Sequence, residues 1–322
     1  MIRIGRIVCP VDFSEGSRRA LERAAVLARW YEAELVALHA VPLVPALFPL
    51  APGVSHATLE PFDVEAMARE LETFTAGLAA KTPRLQLMVR SGAAAPVILD
   101  LARELEADLL VLGTHGHSGF RRLRLGSVAE KVVREAPCPV LTVPGAAEGH
   151  LDDAVFKHVL CGVDFSESSR RAVEYALSLA EEANGRLTLL HTIEWVPDGS
   201  DATHATFGTK MYRQSLVAEA RARLAELVPA EARDWCQIEI RVACGEPEVE
   251  IVRAAATERA DLLVLGSGHP GPIDRMLFGS TTTQVLRQAW CPVFTVRSDC
   301  ERAEHDGLDQ TVQGAAGAEG RS

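Results

Sequence analysis

Val11-Asp12-Phe13-Ser14-Glu15, with Ser17-Arg18-Arg19-Ala20 just behind it, returns as Val163-Asp164-Phe165-Ser166-Glu167 followed by Ser169-Arg170-Arg171-Ala172. Working outward, Ala107-Asp-Leu-Leu-Val-Leu-Gly113 recurs letter for letter as Ala260 to Gly266, and Pro137-Cys-Pro-Val140 is matched by Trp290-Cys-Pro-Val293. The copies are offset by roughly 152 residues. That is far beyond the ~20–50 residues of a solenoid unit and close to the length of a whole domain. The 322 residues therefore read as a tandem duplication: a first domain at 1–147, a second at 148–298, and a tail at 299–322. The linker is expected at Pro144-Gly-Ala-Ala-Glu-Gly-His150, and the tail, without apolar periodicity, is expected to be disordered.

Within the first copy, strands alternate with helices. Ile4 to Val11 is a short β-branched run, and Leu35 to Val41, Leu85 to Val89, Leu109 to Leu112 and Val140 to Val143 are four more. Between them, Leu21, Ala24, Ala25 and Ala28 fall at helical spacing behind Ser14, a suitable N-cap. Helical spacing also links Val64, Met67, Ala68 and Leu71, then Val97, Ile98, Leu101 and Leu105, then Val128 to Arg134. Strands separated by helices demand right-handed crossovers and a parallel sheet covered on both faces. The second copy follows the same order. The fold class is α/β, two tandem doubly wound domains.

Composition narrows the function. A net charge of −11 excludes a general binder of nucleic acid or anionic membrane, because neutralising phosphates needs a basic surface. The N-terminal apolar run is too short and too interrupted by charge for a secretion signal, and no stretch approaches the ~20 apolar residues that span a bilayer. Seven cysteines show no CxxC and no zinc spacing. Cys9 and Cys161 fall inside expected strands and Cys138 and Cys291 in matching Cys-Pro-Val segments, all read as buried thiols. A cytoplasmic protein is expected.

The chemistry concentrates after the fourth strand, where Gly113-Thr-His-Gly116 is followed nine residues later by Gly126-Ser127. Glycine at the strand exit allows a tight turn with positive φ, and a missing Cβ lets phosphate oxygens reach backbone amides. Gly126-Ser127 stands just before a helix, where unpaired amides and the helix dipole favour an anion. No GxxxxGK[ST] loop and no dinucleotide fingerprint occurs. The first strand instead ends at Asp12, whose carboxylate repels phosphate but accepts from a ribose hydroxyl, helps hold a phosphate-bound metal, or merely caps the next turn. His39 and His191, at matching strand ends, read as packing residues at the site's edge. His115-Gly116-His117 superficially resembles a nucleotidyltransferase signature, but follows the wrong strand, and the two histidines lack a third metal partner. Arg121, Arg122 and Arg124 suit a solvated loop as well as a phosphate. No nucleophile–base pair is visible, so no catalytic residue and no dedicated metal site is expected.

Gly-2x-Gly-9x-Gly-Ser after a Val-Leu-Gly strand, Val-Asp-Phe-Ser at the first strand and a closing Cys-Pro-Val-Leu-Thr-Val together resemble the universal stress protein family in its ATP-binding branch, over both repeats. The resemblance implies a five-stranded parallel sheet of order 3-2-1-4-5 in each domain, which sets the exits of strands 1 and 4 side by side at the switch point. It implies ATP with Mg as ligand, held by Asp12 at the ribose or adenine, Ala40 at the adenine, Gly113, Gly116, Gly126 and Ser127 at the phosphates, and the Val128 amide at the helix start. The second copy keeps Asp164, Gly266, Gly279 and Ser280 as counterparts, but His269 replaces its second glycine and Pro270 follows. Either the loop is shifted, with Gly268 one residue away, or the second domain is a structural partner; weaker or absent binding is expected there. The family further implies regulation with little or no hydrolysis, the alternatives being a slow ATPase or phosphotransferase and a nucleotide-independent, chaperone-like protein. Pairing of Val140–Val143 with Val293–Val296 would form an internal pseudo-dimer, alongside a possible homodimer and a regulatory partner the sequence does not name.

Overall fold

A computed structural model describes residues 2–42, 63–80, 82–114, 125–145, 156–194, 206–268 and 279–298. The linker after Gly145 and the 299–322 tail lie outside them, as does the 147/148 boundary. The first half contributes β1 (Arg6–Pro10), α1 (Glu15–Trp30), β2 (Glu34–Val41), α2 (Val64–Ala79), β3 (Leu85–Ser91), α3 (Ala94–Glu104), β4 (Leu109–Gly113), α4 (Ser127–Glu135) and β5 (Val140–Val143). The second adds β6 (His158–Gly162), α5 (Glu167–Glu182), β7 (Arg186–Ile193), α6 (Thr206–Glu226), α7 (Ala232–Trp235), β8 (Gln237–Cys244), α8 (Pro247–Glu258), β9 (Leu262–Ser267), α9 (Ser280–Gln288) and β10 (Val293–Arg297).

Each half is a doubly wound parallel sheet of order 3-2-1-4-5, as the family resemblance implies. The halves join in one sheet through the two last strands, the pairing expected of Val140–Val143 and Val293–Val296. The order β3-β2-β1-β4-β5-β10-β9-β6-β7-β8 runs through ten strands without a break. β5 and β10 join antiparallel, Val293 opposite Thr142 and Phe294 opposite Leu141. Two hydroxyls tie this seam symmetrically, Thr142 Oγ1 donating to the Val293 carbonyl and Thr295 Oγ1 to the Val140 carbonyl, both at 3.2 Å. Because the seam reverses strand direction, the carboxyl ends of β1 and β4 open on one edge of the sheet and those of β6 and β9 on the other.

Alternation along the strands divides the core into two layers. Ile7, Cys9, Leu35 and Ala37 point toward α1 and share a buried cluster with Val159, Cys161, Phe294 and the α5 side chains. Val8, Val36 and Leu38 point the other way, joining Ile98, Val132, Leu263 and Val285. Both layers thus run through both halves. The expected buried thiols are found at Cys9, Cys138, Cys161 and Cys291.

The two copies of the quoted motif build the same turn. Ser14 caps α1 by accepting from the Ser17 amide, and Ser166 caps α5 from Ser169. The repeated aspartate of Ala-Asp-Leu-Leu has a structural task at the opposite edge. Asp108 accepts from the amides of Gly5 and Arg6 at 2.8 and 2.9 Å, holding the start of β1. Asp261 does the same for Lys157 and His158 at 2.9 and 3.0 Å.

Candidate functional site

At the carboxyl ends of β1 and β4 lies a cleft of ≈ 250 Å³. Of the residues singled out in the first half, Asp12, Ala40, Gly113, Gly126, Ser127 and Val128 all line it. Gly116, with the whole 115–124 segment, lies outside the described residues. The ends of that segment are pinned together, the Gly126 amide donating to the Thr114 carbonyl at 2.8 Å and the Thr114 amide to Val143 at 3.1 Å. The floor is apolar, from Val11, Leu38, Ile98 and Leu112, while Asp12, Ser17, Thr114 and Ser127 supply polar groups. Two helices begin at its wall, α3 with Ala94 and α4 with Ser127. Neither N-cap, Ala93 or Gly126, provides a side-chain hydrogen bond, so their first amides are left for solvent or an anion.

Two readings of these residues need correction, and one of the alternatives left open for Asp12 is observed. Gly113 is not in the left-handed region; glycines with positive φ are Gly92, Gly245 and Gly268 among the described residues. Its missing Cβ serves packing instead, since a methyl there would stand 2.8 Å from the backbone carbon and oxygen of Gly16 at the start of α1. Gly126 likewise faces Thr114 closely, at 3.3 Å from a Cβ, and its amide is spent on that residue rather than held out to a ligand. Asp12 does cap the turn: its Oδ1 accepts from the Ser14 amide at 3.0 Å and the Ser14 hydroxyl at 2.5 Å. It remains on the cleft wall while doing so.

The strained residue here is Phe13, at φ 63°. Its ring packs against His39 with centroids 4.4 Å apart and meets Phe74 of α2 edge-on at 5.5 Å. The Arg18 guanidinium covers Phe74 at 4.0 Å. His39 Nδ1 lies 2.8 Å from the Val11 carbonyl, tying the end of β2 to the end of β1. Ser17, Thr114 and the apolar floor were not anticipated. Ser17 had a signal in the repeated Ser-Arg-Arg-Ala, and His39 in its match with His191.

In the second half Phe165 repeats the strain at φ 65°, and His191 lies 2.7 Å from the Val163 carbonyl. Asp164 accepts from the Ser166 amide and hydroxyl at 2.9 and 2.5 Å. Burial raises its pKa, but the hydrogen bonds from Ser166 and Ser169 outweigh burial and hold the carboxyl below its ordinary value. Gly266 packs still more tightly than Gly113, its Cβ position only 2.5 Å from the Ser169 amide nitrogen. Gly279 caps α9 without a side-chain bond, and Ser280 is exposed at the helix start. Beyond this the halves diverge. Ser168 stands where the first half has Gly16, and its hydroxyl reaches the Gly268 carbonyl at 3.4 Å; Gly268 itself turns at φ 122°. Thr282 Oγ1 donates to the Gly266 carbonyl at 3.2 Å. Side chains of the protein thus bridge the β9 exit. His269 and Pro270 lie outside the described residues.

Among the described residues no cluster of three or more His, Cys, Asp or Glu is placed to hold a metal, and no helix is long and apolar enough to cross a membrane.

The family model described as "Universal stress protein family" matches residues 3–144 and again 156–297. Universal stress protein Mb2028c of Mycobacterium bovis is 31% identical over 209 residues, covering 63% of this chain and 65% of its own length. Universal stress protein Rv2623 of Mycobacterium tuberculosis is 29% identical over 305 residues, 90% of this chain and 96% of the relative. Among solved structures, a universal stress protein from Archaeoglobus fulgidus superposes with a TM-score of 0.61 at 21% identity, over 91% of this chain and 98% of that one.

Proposed function

The chain belongs to the universal stress protein family, and from that premise we propose that it is an ATP-binding regulatory protein whose first half carries the working site. The observation that carries the reading is the convergence of six residues, chosen from sequence up to 116 positions apart, on one cleft. The cleft's chemistry fits the ligand end to end. The apolar floor suits a planar base, Asp12 suits ribose hydroxyls, and two uncapped helix starts suit a polyphosphate. Mg would enter with the triphosphate, held chiefly by the anionic phosphate oxygens, with the Asp12 carboxylate as the charged side chain among the described lining residues. The acidic side chain at the sugar end and the glycine-lined phosphate end are a division of labour, not a catalytic set. Binding with little or no turnover is what the family resemblance implies, and the rate of phosphate release measures it.

Binding would act at the clamped pair Thr114 and Gly126, which flank the Gly116 loop, and so change the surface a partner reads. The second half takes the structural role, because Ser168 and Thr282 occupy the β9 exit with the protein's own hydroxyls. The internal β5–β10 pairing then serves as a pseudo-dimer within one chain, and a cytoplasmic setting suits its free thiols, buried at Cys9, Cys138, Cys161, Cys236 and Cys291 and exposed at Cys244.

Calorimetric titration with Mg-ATP tests this, together with native mass spectrometry for co-purifying nucleotide. One site per chain is expected, with phosphate release below one per minute, far under the ~1–100 per second of kinases. Two equal sites would remove the proposed division between halves. A melting temperature unmoved by millimolar ATP would remove the site itself, and rapid phosphate release would instead identify an ATPase.

A further inference from the structure

Arg6 and His158 open the first strands of their halves at equivalent positions, and each ties that strand to a helix end. The Arg6 guanidinium donates to the Leu105 carbonyl just past α3, and His158 Nδ1 lies 3.1 Å from the Glu258 carbonyl at the end of α8. Their neighbours on the next strand differ in sign. Arg6 stands beside Glu34 of β2, Nε to Oε2 at 2.9 Å, whereas His158 stands beside Arg186 of β7. One half thus joins a permanent cation to a carboxylate, and the other joins a titratable ring to a permanent cation.

A carbonyl oxygen only accepts, so Nδ1 carries the hydrogen and the neutral ring is bare at Nε2. Nε2 lies 3.1 Å from the Thr188 hydroxyl, which lies 2.9 Å from Glu258 Oε2. Thr188 is fully buried, and its single hydroxyl hydrogen serves either the ring or the carboxylate. A proton on Nε2 turns that hydrogen toward Glu258 and leaves a cation inside the cluster. The surrounding charges balance without it. Arg186 and Arg241 stand against Glu239 and Glu258, and Arg23 of α1 stands against Asp261, whose oxygens accept from the Lys157 and His158 amides. Exposed Lys157, next in the chain, adds to the positive side. Burial first, and Arg186 next, hold the ring below the ordinary histidine value, against the pull of Asp261 and Glu239.

We propose that this cluster is an acid-sensitive joint of the second half: as the His158 ring takes up a proton, β6 and β7 carry two cations side by side and loosen from α8, while the Arg6–Glu34 joint of the first half holds. The sign follows from the ring being harder to charge in the folded chain than in the unfolded one. Its contribution is complete above the ordinary histidine value of about 6.5 and is lost as pH falls through the lower folded value.

Peptide-resolved hydrogen exchange on the full chain, expressed as protection relative to the unfolded chain, tests this between about pH 8 and about pH 5.5. In acid, protection is expected to fall about threefold or more at β6, β7 and the end of α8, and to stay within about twofold at β1, β2 and α3. His158→Gln keeps an amide donor for the Glu258 carbonyl but cannot take up the proton, so it should abolish the acid loss. Arg186→Gln removes the neighbouring cation and should shrink it. Wild-type protection at β6 and β7 that is equal at both pH values would overturn the proposal. So would an acid loss that His158→Gln retains, or one as large at β1 and β2. Should neither variant fold, the wild-type comparison of β6 and β7 with β1 and β2 decides the same point.

Discussion

Gly113 illustrates how a residue is recognised for one reason and retained for another. Its place after a buried strand marks a phosphate-type loop, yet the structure uses the absent Cβ to let α1 approach β4. Gly113→Ala is therefore expected to lower stability by about 1–3 kcal/mol, as overpacking does when only backbone lies in the way. Urea denaturation measures it, and a variant as stable as wild type would show that the start of α1 yields. Asp12 carries a second residue-scale expectation: Asp12→Ala should weaken ATP more than free pyrophosphate, and equal losses for both would remove its contact with the sugar. Asp164 gives a dependence on pH. Its folded pKa is depressed, so its contribution is present above the ordinary carboxylate range and is lost as pH falls through the folded value. The melting-temperature gap between wild type and Asp164→Asn should be open at pH 7 and close in acid. The roles of Asp12 were legible from its place at the strand end, but the close approach at Gly113 was not, because Gly16 meets it from far along the chain.

At the scale of elements, periodicity found nearly every strand and helix, since burying an alternating or 3.6-spaced pattern leaves few choices. β5 was found residue for residue, Val140–Val143. The strand starting at Ile4 proved to begin at Arg6, where Asp108 ends its freedom. The seam strands hold the greatest leverage. Phe294 is 2% exposed, faces Leu141 across the seam and packs on Tyr175 of α5 at 5.4 Å. Phe294→Ala should cost about 3–5 kcal/mol, measured by chemical denaturation, and should loosen both halves together. A loss confined to signals from the second half would argue that the seam transmits little.

The whole molecule is one sheet and two shared core layers, with secondary ties across the halves. Ile2 donates to Ser178 at 2.9 Å, Arg287 lies 3.6 Å from Glu130, and the Arg297 guanidinium donates to the Arg134 carbonyl. Unfolding followed by far-ultraviolet dichroism and by tryptophan fluorescence should give a single coincident transition. A chain cut after Gly145 would expose the β5 edge, a ready template for pairing. It should run as a homodimer in size-exclusion chromatography; a stable monomer would mean that the edge is protected without β10.

The sequence by itself determined the duplication, the alternation of strands and helices, and the candidate site residues, because repetition and periodicity are local records of which side chains must be buried. Only the tertiary structure decided that the two core layers run through both halves, that Gly113 serves packing, and that Ser168 bridges the β9 exit. Each of those depends on which atoms meet across long separations in the chain, and no local pattern of polarity encodes that distance.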